Sequence, residues 1–283
     1  MRIEKKKLKS GFKLPVFGYG TWQVGGREER DPDNDDKADI NAIKTAIEMG
    51  ITHIDTAEIY ASGHAEELVG EAIRGFDRST LIIATKVWSS NLRYSDLINS
   101  CRQSLKRLGT DYADIYLIHY PNSSIDIRES MEAMNHLVEK GYIRHIGLSN
   151  FSVSEFREAQ GCTANKIVCN QVYYNLAHKS PAVDGTIEYA KENDVMIVAW
   201  RPVEKGLFSR TKDSILEKLG KKYGKTGSQI GINWLISQDN VVTISKSRNI
   251  RHLKENLGAL NWKMDKPDMK LLMSHFPEIT ESV

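Results

Sequence analysis

The stretch Glu139-Lys-Gly-Tyr-Ile-Arg-His-Ile-Gly-Leu-Ser149 joins a helix end, a stop and a strand. Its first residues finish the run 130–140, in which Met131, Met134, Leu137 and Val138 follow the three-and-four spacing of one helical stripe. Gly141 then provides the residue that most easily ends a helix. Residues 143–149 are apolar on both faces and turn polar at Ser149-Asn150, as a buried parallel strand does at its exposed end.

The same unit recurs in both directions. Strand-like runs occupy 16–20, Ile51-Thr-His-Ile-Asp55, Leu81-Ile-Ile-Ala-Thr-Lys86, Ile115-Tyr-Leu-Ile-His119, 143–149, 166–171, Val195-Met-Ile-Val-Ala-Trp200 and Val241-Val-Thr-Ile-Ser245. Helical stripes lie between them: Ile40, Ile43 and Ile47 in 39–49, and Leu97, Ile98, Cys101, Leu105 and Leu108 in 94–108. Eight alternating strands and helices predict an α/β fold, a single (β/α)8 TIM barrel over 1–283. A doubly wound sheet would place G-x-G-x-x-G after the first strand. Gly18-Tyr-Gly-Thr-Trp-Gln-Val-Gly25 has the wrong spacing and no helix behind it. Residues 7–15, with Ser10-Gly11 at their centre, predict a short N-terminal β-hairpin. The charged residues 27–39 read as an exposed loop before the first helix.

Composition narrows the class. Of 283 residues, 40% are hydrophobic and 27% charged, which excludes a disordered or low-complexity chain. A net charge of +2 argues against a nucleic-acid partner. No run reaches 18 apolar residues, and no apolar segment follows the N-terminal lysines Lys5, Lys6, Lys7 and Lys9. Those lysines read as a solvated edge, and the chain reads as cytoplasmic, without a membrane partner. Cys101, Cys162 and Cys169 form no disulfide framework. No histidine has metal-site spacing, so no metal is expected.

Chemistry in such a barrel lies where the strands end. Those ends are Asp55 (with Tyr60 just beyond), Lys86, His119, Ser149-Asn150, Gln171, Trp200 and Ser245-Lys246-Ser247. A phenol titrates near 10. An ammonium such as Lys86, held by a buried Asp55, would lower that value. His119 could then orient a carbonyl oxygen toward the phenol. Singly, each residue has a plainer reading: Asp55 as a turn cap, Lys86 as a solvated or Schiff-base lysine, His119 as a structural histidine.

Together they resemble the aldo-keto reductases. Ile54-Asp-Thr-Ala-Glu-Ile-Tyr60 is similar to the family's D-T-A-x-x-Y signature, and Gly141-Tyr-Ile-Arg-His-Ile-Gly-Leu-Ser-Asn-Phe151 to its second. Ile244-Ser-Lys-Ser247 with Glu255-Asn256 resembles its third, and Thr85-Lys86 and Leu117-Ile-His-Tyr-Pro121 also match. The resemblance implies a catalytic tetrad of Asp55, Tyr60, Lys86 and His119, with Tyr60 as general acid or base. It implies that Ser149, Asn150 and Gln171 hold a nicotinamide carboxamide and that Trp200, where tyrosine or phenylalanine is usual, stacks on the ring. Arg201 stands where many members have serine. Lys246, Ser247, Arg248 and Arg251 would bind the 2′-phosphate of NADP, and Glu255 and Asn256 would also contact the cofactor. Ser245 replaces the usual proline there, and His252 the usual arginine. NADPH is thus the expected cofactor, with NADH use left open.

Trp22 and Trp88 fall where the family lines its substrate pocket, and the reaction implied is reduction of aldehydes or ketones. The short stretch after Trp262 points to an open pocket. Two other readings stand beside this one: a cofactor-sensing module like the channel β subunits, and a Schiff-base aldolase using Lys86. A monomer or weak homo-oligomer is what the resemblance implies.

Overall fold

The structure, a computed structural model, describes residues 2–210 and 212–276. The end of the stretch read as a short tail, residues 277–283, lies outside them. A hairpin of β1 (Lys5–Lys7) and β2 (Lys13–Pro15) pairs Lys6 with Leu14. Eight strands follow: β3 (Phe17–Gly20), β4 (His53–Asp55), β5 (Ile82–Val87), β6 (Ala113–Ile118), β7 (Ile143–Ser149), β8 (Ile167–Tyr173), β9 (Met196–Trp200) and β10 (Val241–Ser245). They close a barrel in the order β10-β3-β4-β5-β6-β7-β8-β9. The fold is the expected (β/α)8 barrel with an N-terminal hairpin. The chain groups into two compact units: Gly18–Gln171, and Ile3–Phe17 together with the chain from Val172 onward.

In the first unit, helices Asp36–Glu48, His64–Ile73, Tyr94–Leu108 and Ile127–Glu139 each bury one stripe. Ile43, Val69, Leu97, Leu108, Met131, Met134 and Leu137 have no exposed surface. At roughly 1.5–3 kcal/mol for each fully buried side chain, these rows supply much of the unit's stability. The first helix starts three residues earlier than its apolar pattern because Asp35 caps it, accepting from the Ala38 N–H at 3.0 Å. The charged segment before it is more than an exposed loop. Buried Asp39 accepts from the Gly25 N–H at 3.1 Å and from Asn34 Nδ2 at 2.9 Å, so the segment is tied down. Gly141 takes the left-handed φ of +73° that ends the helix before β7. A Cβ on Gly147 would come within 2.8 Å of Cys169 Sγ and Leu117 Cγ, so β7 needs glycine where the barrel interior is filled.

The second unit is anchored by the hairpin. Lys6 belongs to no solvated edge: its Nζ donates to the Gln238 carbonyl and, at 2.5 Å, to that of Val241. Burial lowers its pKa to about 8. Trp234 is core as expected, 2% exposed, its indole N–H donating to Met269 O at 3.2 Å.

Candidate active site

The strands of the first unit run parallel, so their polar ends share one mouth. Asp55 is the last residue of β4, and its carbonyl accepts from the N–H (2.9 Å) and hydroxyl (3.0 Å) of Thr21. Lys86 sits near the end of β5, fully buried. Its ammonium donates to Asp55 Oδ1 at 2.7 Å, to Thr56 O at 2.8 Å and to Tyr60 Oη at 3.3 Å. An ammonium has three protons, and all three are engaged.

Tyr60 is held by backbone strain that its surroundings impose. Ala61 (φ 51°), Ser62 (φ 54°) and Gly63 (φ 91°) all lie in the left-handed region, which costs non-glycine residues on the order of 1 kcal/mol or more each. The Ala61 and Ser62 N–H groups donate to Arg27 O at 2.6 Å and Glu28 O at 2.7 Å. The charged segment thus clamps the turn that carries the phenol. His64, just beyond, meets Asp36 at 2.8 Å and Glu67 at 2.7 Å.

His119 follows β6. Its ring lies edge-on to Tyr60 (5.6 Å) and Trp88 (5.2 Å) and stacks on Tyr120 at 5.3 Å and 22°. Trp22 packs edge-on against Tyr60 at 5.0 Å. The two tryptophans therefore stand beside the polar cluster.

The charge states follow from burial. Burial and the Lys86 ammonium push His119 down to about 2, so its imidazole is neutral. Burial works against the Lys86 charge, but Asp55 and Tyr60 outweigh it and raise the lysine's pKa. The Lys86 ammonium acts on the phenol in the expected direction, but the net shift is upward. Burial raises the Tyr60 pKa, and the Lys86 ammonium opposes this only in part. Tyr60 is a protonated donor at neutral pH.

Ser149, Asn150 and Gln171 lie at the same strand ends. Ser149 Oγ donates to Gln171 O at 3.0 Å, and Asn150 Nδ2 to Ser149 Oγ at 3.0 Å and His119 O at 3.1 Å. Asn150 has φ 62°, a conformation asparagine tolerates. Gln171 Nε2 donates to Asp55 Oδ2 at 2.8 Å.

In the first unit, two residues escaped the sequence reading. Tyr120 was signalled only by directly following His119. Glu58 lies between Asp55 and Tyr60. Its Oε1 accepts from the Trp88 N–H at 2.7 Å and Asn91 Nδ2 at 3.0 Å, fixing the turn that presents Trp88.

In the second unit, Trp200 stacks parallel to Tyr173 at 4.3 Å and 10°, and Tyr173 on His178 at 3.9 Å. The Arg201 guanidinium lies 5.3 Å from the Trp200 ring. Tyr173 and His178 carried no sequence signal of this stack. Lys246, Ser247 and Arg248 occupy the turn from β10 into helix Ile250–Leu257, and Arg251 lies in that helix's first turn. Asn249 caps that helix through the Arg251 N–H at 2.9 Å, and Ser247 Oγ donates to Asn249 O at 2.8 Å. Arg248 and Arg251 are exposed, Glu255 is half-buried, and buried Asn256 donates to Ser245 Oγ at 3.3 Å.

The family model for the aldo/keto reductase family matches residues 16–276. The chain belongs to the aldo-keto reductase family. It is 31% identical over 268 residues to the methylglyoxal reductase YeaE of Escherichia coli (strain K12), covering 93% of this chain and 92% of that one. It is 32% identical over 265 residues to the glyoxal reductase of Bacillus subtilis (strain 168), covering 93% and 89%. Among solved structures, the thermostable aldo-keto reductase Tm1743, crystallised with the inhibitor epalrestat, is 44% identical with a TM-score of 0.93, covering 96% of this chain and 99% of that one. An aldo-keto reductase from Klebsiella pneumoniae, in complex with NADPH, is 30% identical with a TM-score of 0.84, covering 99% and 98%.

The donor set in this aldo-keto reductase fits a nicotinamide cofactor. A carboxylate only accepts, so the Gln171 amide nitrogen faces Asp55 and its carbonyl oxygen points away, an acceptor suited to a carboxamide N–H.

Proposed function

We propose that the protein, acting as one domain over 1–283, reduces small aldehydes and ketones with NADPH in the cytoplasm. The observation that carries this reading is the Lys86 ammonium, whose three protons are spent on Asp55, Thr56 and Tyr60. A lysine so engaged and kept charged is a poor Schiff-base nucleophile, which disfavours the aldolase reading. It is well placed to stabilise a phenolate.

Bound NADPH supplies the hydride. Ser149, Asn150 and Gln171 would hold its carboxamide, Trp200 would stack on the ring, Lys246, Ser247, Arg248 and Arg251 would take the 2′-phosphate, and Glu255 and Asn256 would contact the same end of the cofactor. Tyr60 Oη gives its proton to the substrate carbonyl oxygen. Lys86 stabilises the phenolate that remains, and Asp55 keeps Lys86 charged. Neutral His119 orients the oxygen. Trp22 and Trp88 give the pocket apolar walls and limit water. Alcohol oxidation runs the same steps backward, with Tyr60 as base.

The named activities of the two curated relatives favour 2-oxoaldehydes as the substrate class. Loss of NADPH absorbance with methylglyoxal and with an aromatic aldehyde tests the reading. Turnover of either supports it. Tight NADPH binding with no turnover of any carbonyl compound would favour a cofactor-sensing module instead.

A further inference from the structure

We infer that Gln171 is a positioning residue for the Asp55–Lys86 pair: its side-chain amide holds the second oxygen of Asp55 and so fixes the proton donor's partner. The inference rests on the reductase reading above. Three observations carry it, all within the first unit.

First, Asp55 is 1% exposed and spends its two oxygens separately, Oδ1 on Lys86 at 2.7 Å and Oδ2 on Gln171 Nε2 at 2.8 Å. A buried carboxylate needs donors on both oxygens, and one missing donor leaves a charged acceptor dry. Second, Gln171 is itself 4% exposed and anchored through its backbone. Its carbonyl accepts from Ser149 Oγ at 3.0 Å and the Asn150 N–H at 2.9 Å. Asn150 in turn donates to His119 O at 3.1 Å. Third, the chain of bonds is continuous from the β7 end through Gln171, Asp55 and Lys86 to Tyr60 Oη. A group that holds a cofactor amide on one side therefore also sets the carboxylate's rotamer on the other. Without the amide, Asp55 is free to turn about its side-chain bonds, and the ammonium that follows it leaves the phenol.

The test separates this role from carboxamide binding. Gln171→Met keeps the side-chain length and removes the donor. It is made in the native chain and in Asp55→Asn, with turnover measured at saturating NADPH and NADPH affinity read separately by tryptophan fluorescence. Positioning through Asp55 predicts that Gln171→Met lowers kcat about tenfold in the native background and less than about twofold with Asp55→Asn. Carboxamide contact alone predicts equal losses in both backgrounds, and that result would overturn the inference.

Gln171→Glu is the second variant. Its carboxyl can donate to Asp55 only when protonated, so kcat should recover as pH falls. The other titratable groups facing the pair are Tyr60, His53, His119 and Cys169. A flat profile for this variant where the native chain is also flat would count against positioning. A readout without turnover guards the distinction: the same cycle measured as unfolding free energy should also be non-additive. If the native chain reduces no carbonyl yet the stability cycle is non-additive, the reductase reading fails and the Gln171–Asp55 coupling stands.

Discussion

Asp55 and Lys86 carry opposite charges where almost no water reaches them. Removing one partner is therefore costly, because the survivor stays buried and charged. Lys86→Met should destabilise the protein by about 3–5 kcal/mol in urea unfolding and abolish turnover. Adding Asp55→Asn should restore most of the stability but none of the activity. Stability that stays low in the double variant would mean that Lys86 acts in packing rather than through its charge. At this scale the sequence identified the residue types at the mouth but not their protonation. Burial of the phenol ring is a property of the packed site, and no spacing of residues reveals how far it outweighs a neighbouring ammonium.

Turns at the strand ends decide how the aromatic side chains beside the polar cluster stand. Glu58 Oε1 fixes the Trp88 N–H and Asn91. Glu58→Ala should raise KM for an aromatic aldehyde several-fold, by about 1 kcal/mol of lost orientation, with a smaller effect on kcat. Unchanged KM would show that Trp88 is held by its contacts with His119 and Tyr120 alone. On the proposed function, the residues around the start of helix Ile250–Leu257 set the cofactor preference. Arg251→Ala should weaken NADPH binding about tenfold and leave NADH affinity unchanged. Equal losses for both cofactors would remove Arg251 from the 2′-phosphate. Strand and helix order was legible because each unit repeats an apolar run, a polar end and a glycine stop. Boundaries were less so: Asp35 starts its helix by a cap that hydrophobic periodicity does not register. The clamp from Arg27 and Glu28 onto Ala61 and Ser62 was invisible because backbone carbonyls make it. Lys6 looked like one more exposed lysine, and only the carbonyls it reaches distinguish it from its neighbours.

For the whole molecule, the barrel interior sets a limit on acid stability. His53 is fully buried, neither ring nitrogen has a partner among the described residues, and burial lowers its pKa to about 4. The unfolded chain takes up that proton below about 6.5. The folded state refuses it until about 4, so stability falls as pH drops through this window. His119 adds the same sign down to about 2. His53→Leu should be nearly neutral at pH 7 and more stable than the native chain by about 2 kcal/mol at pH 5 in urea unfolding. An equal difference at both pH values would show that His53 finds its proton in the folded state. The central claim concerns the phenol at the mouth of this barrel. Its most direct test is NADPH consumption with an aromatic aldehyde by the native chain and by Tyr60→Phe, with NADPH affinity measured in both. The account predicts that the variant binds NADPH as the native chain does and loses turnover by at least about a thousandfold. Unchanged turnover in Tyr60→Phe would contradict it.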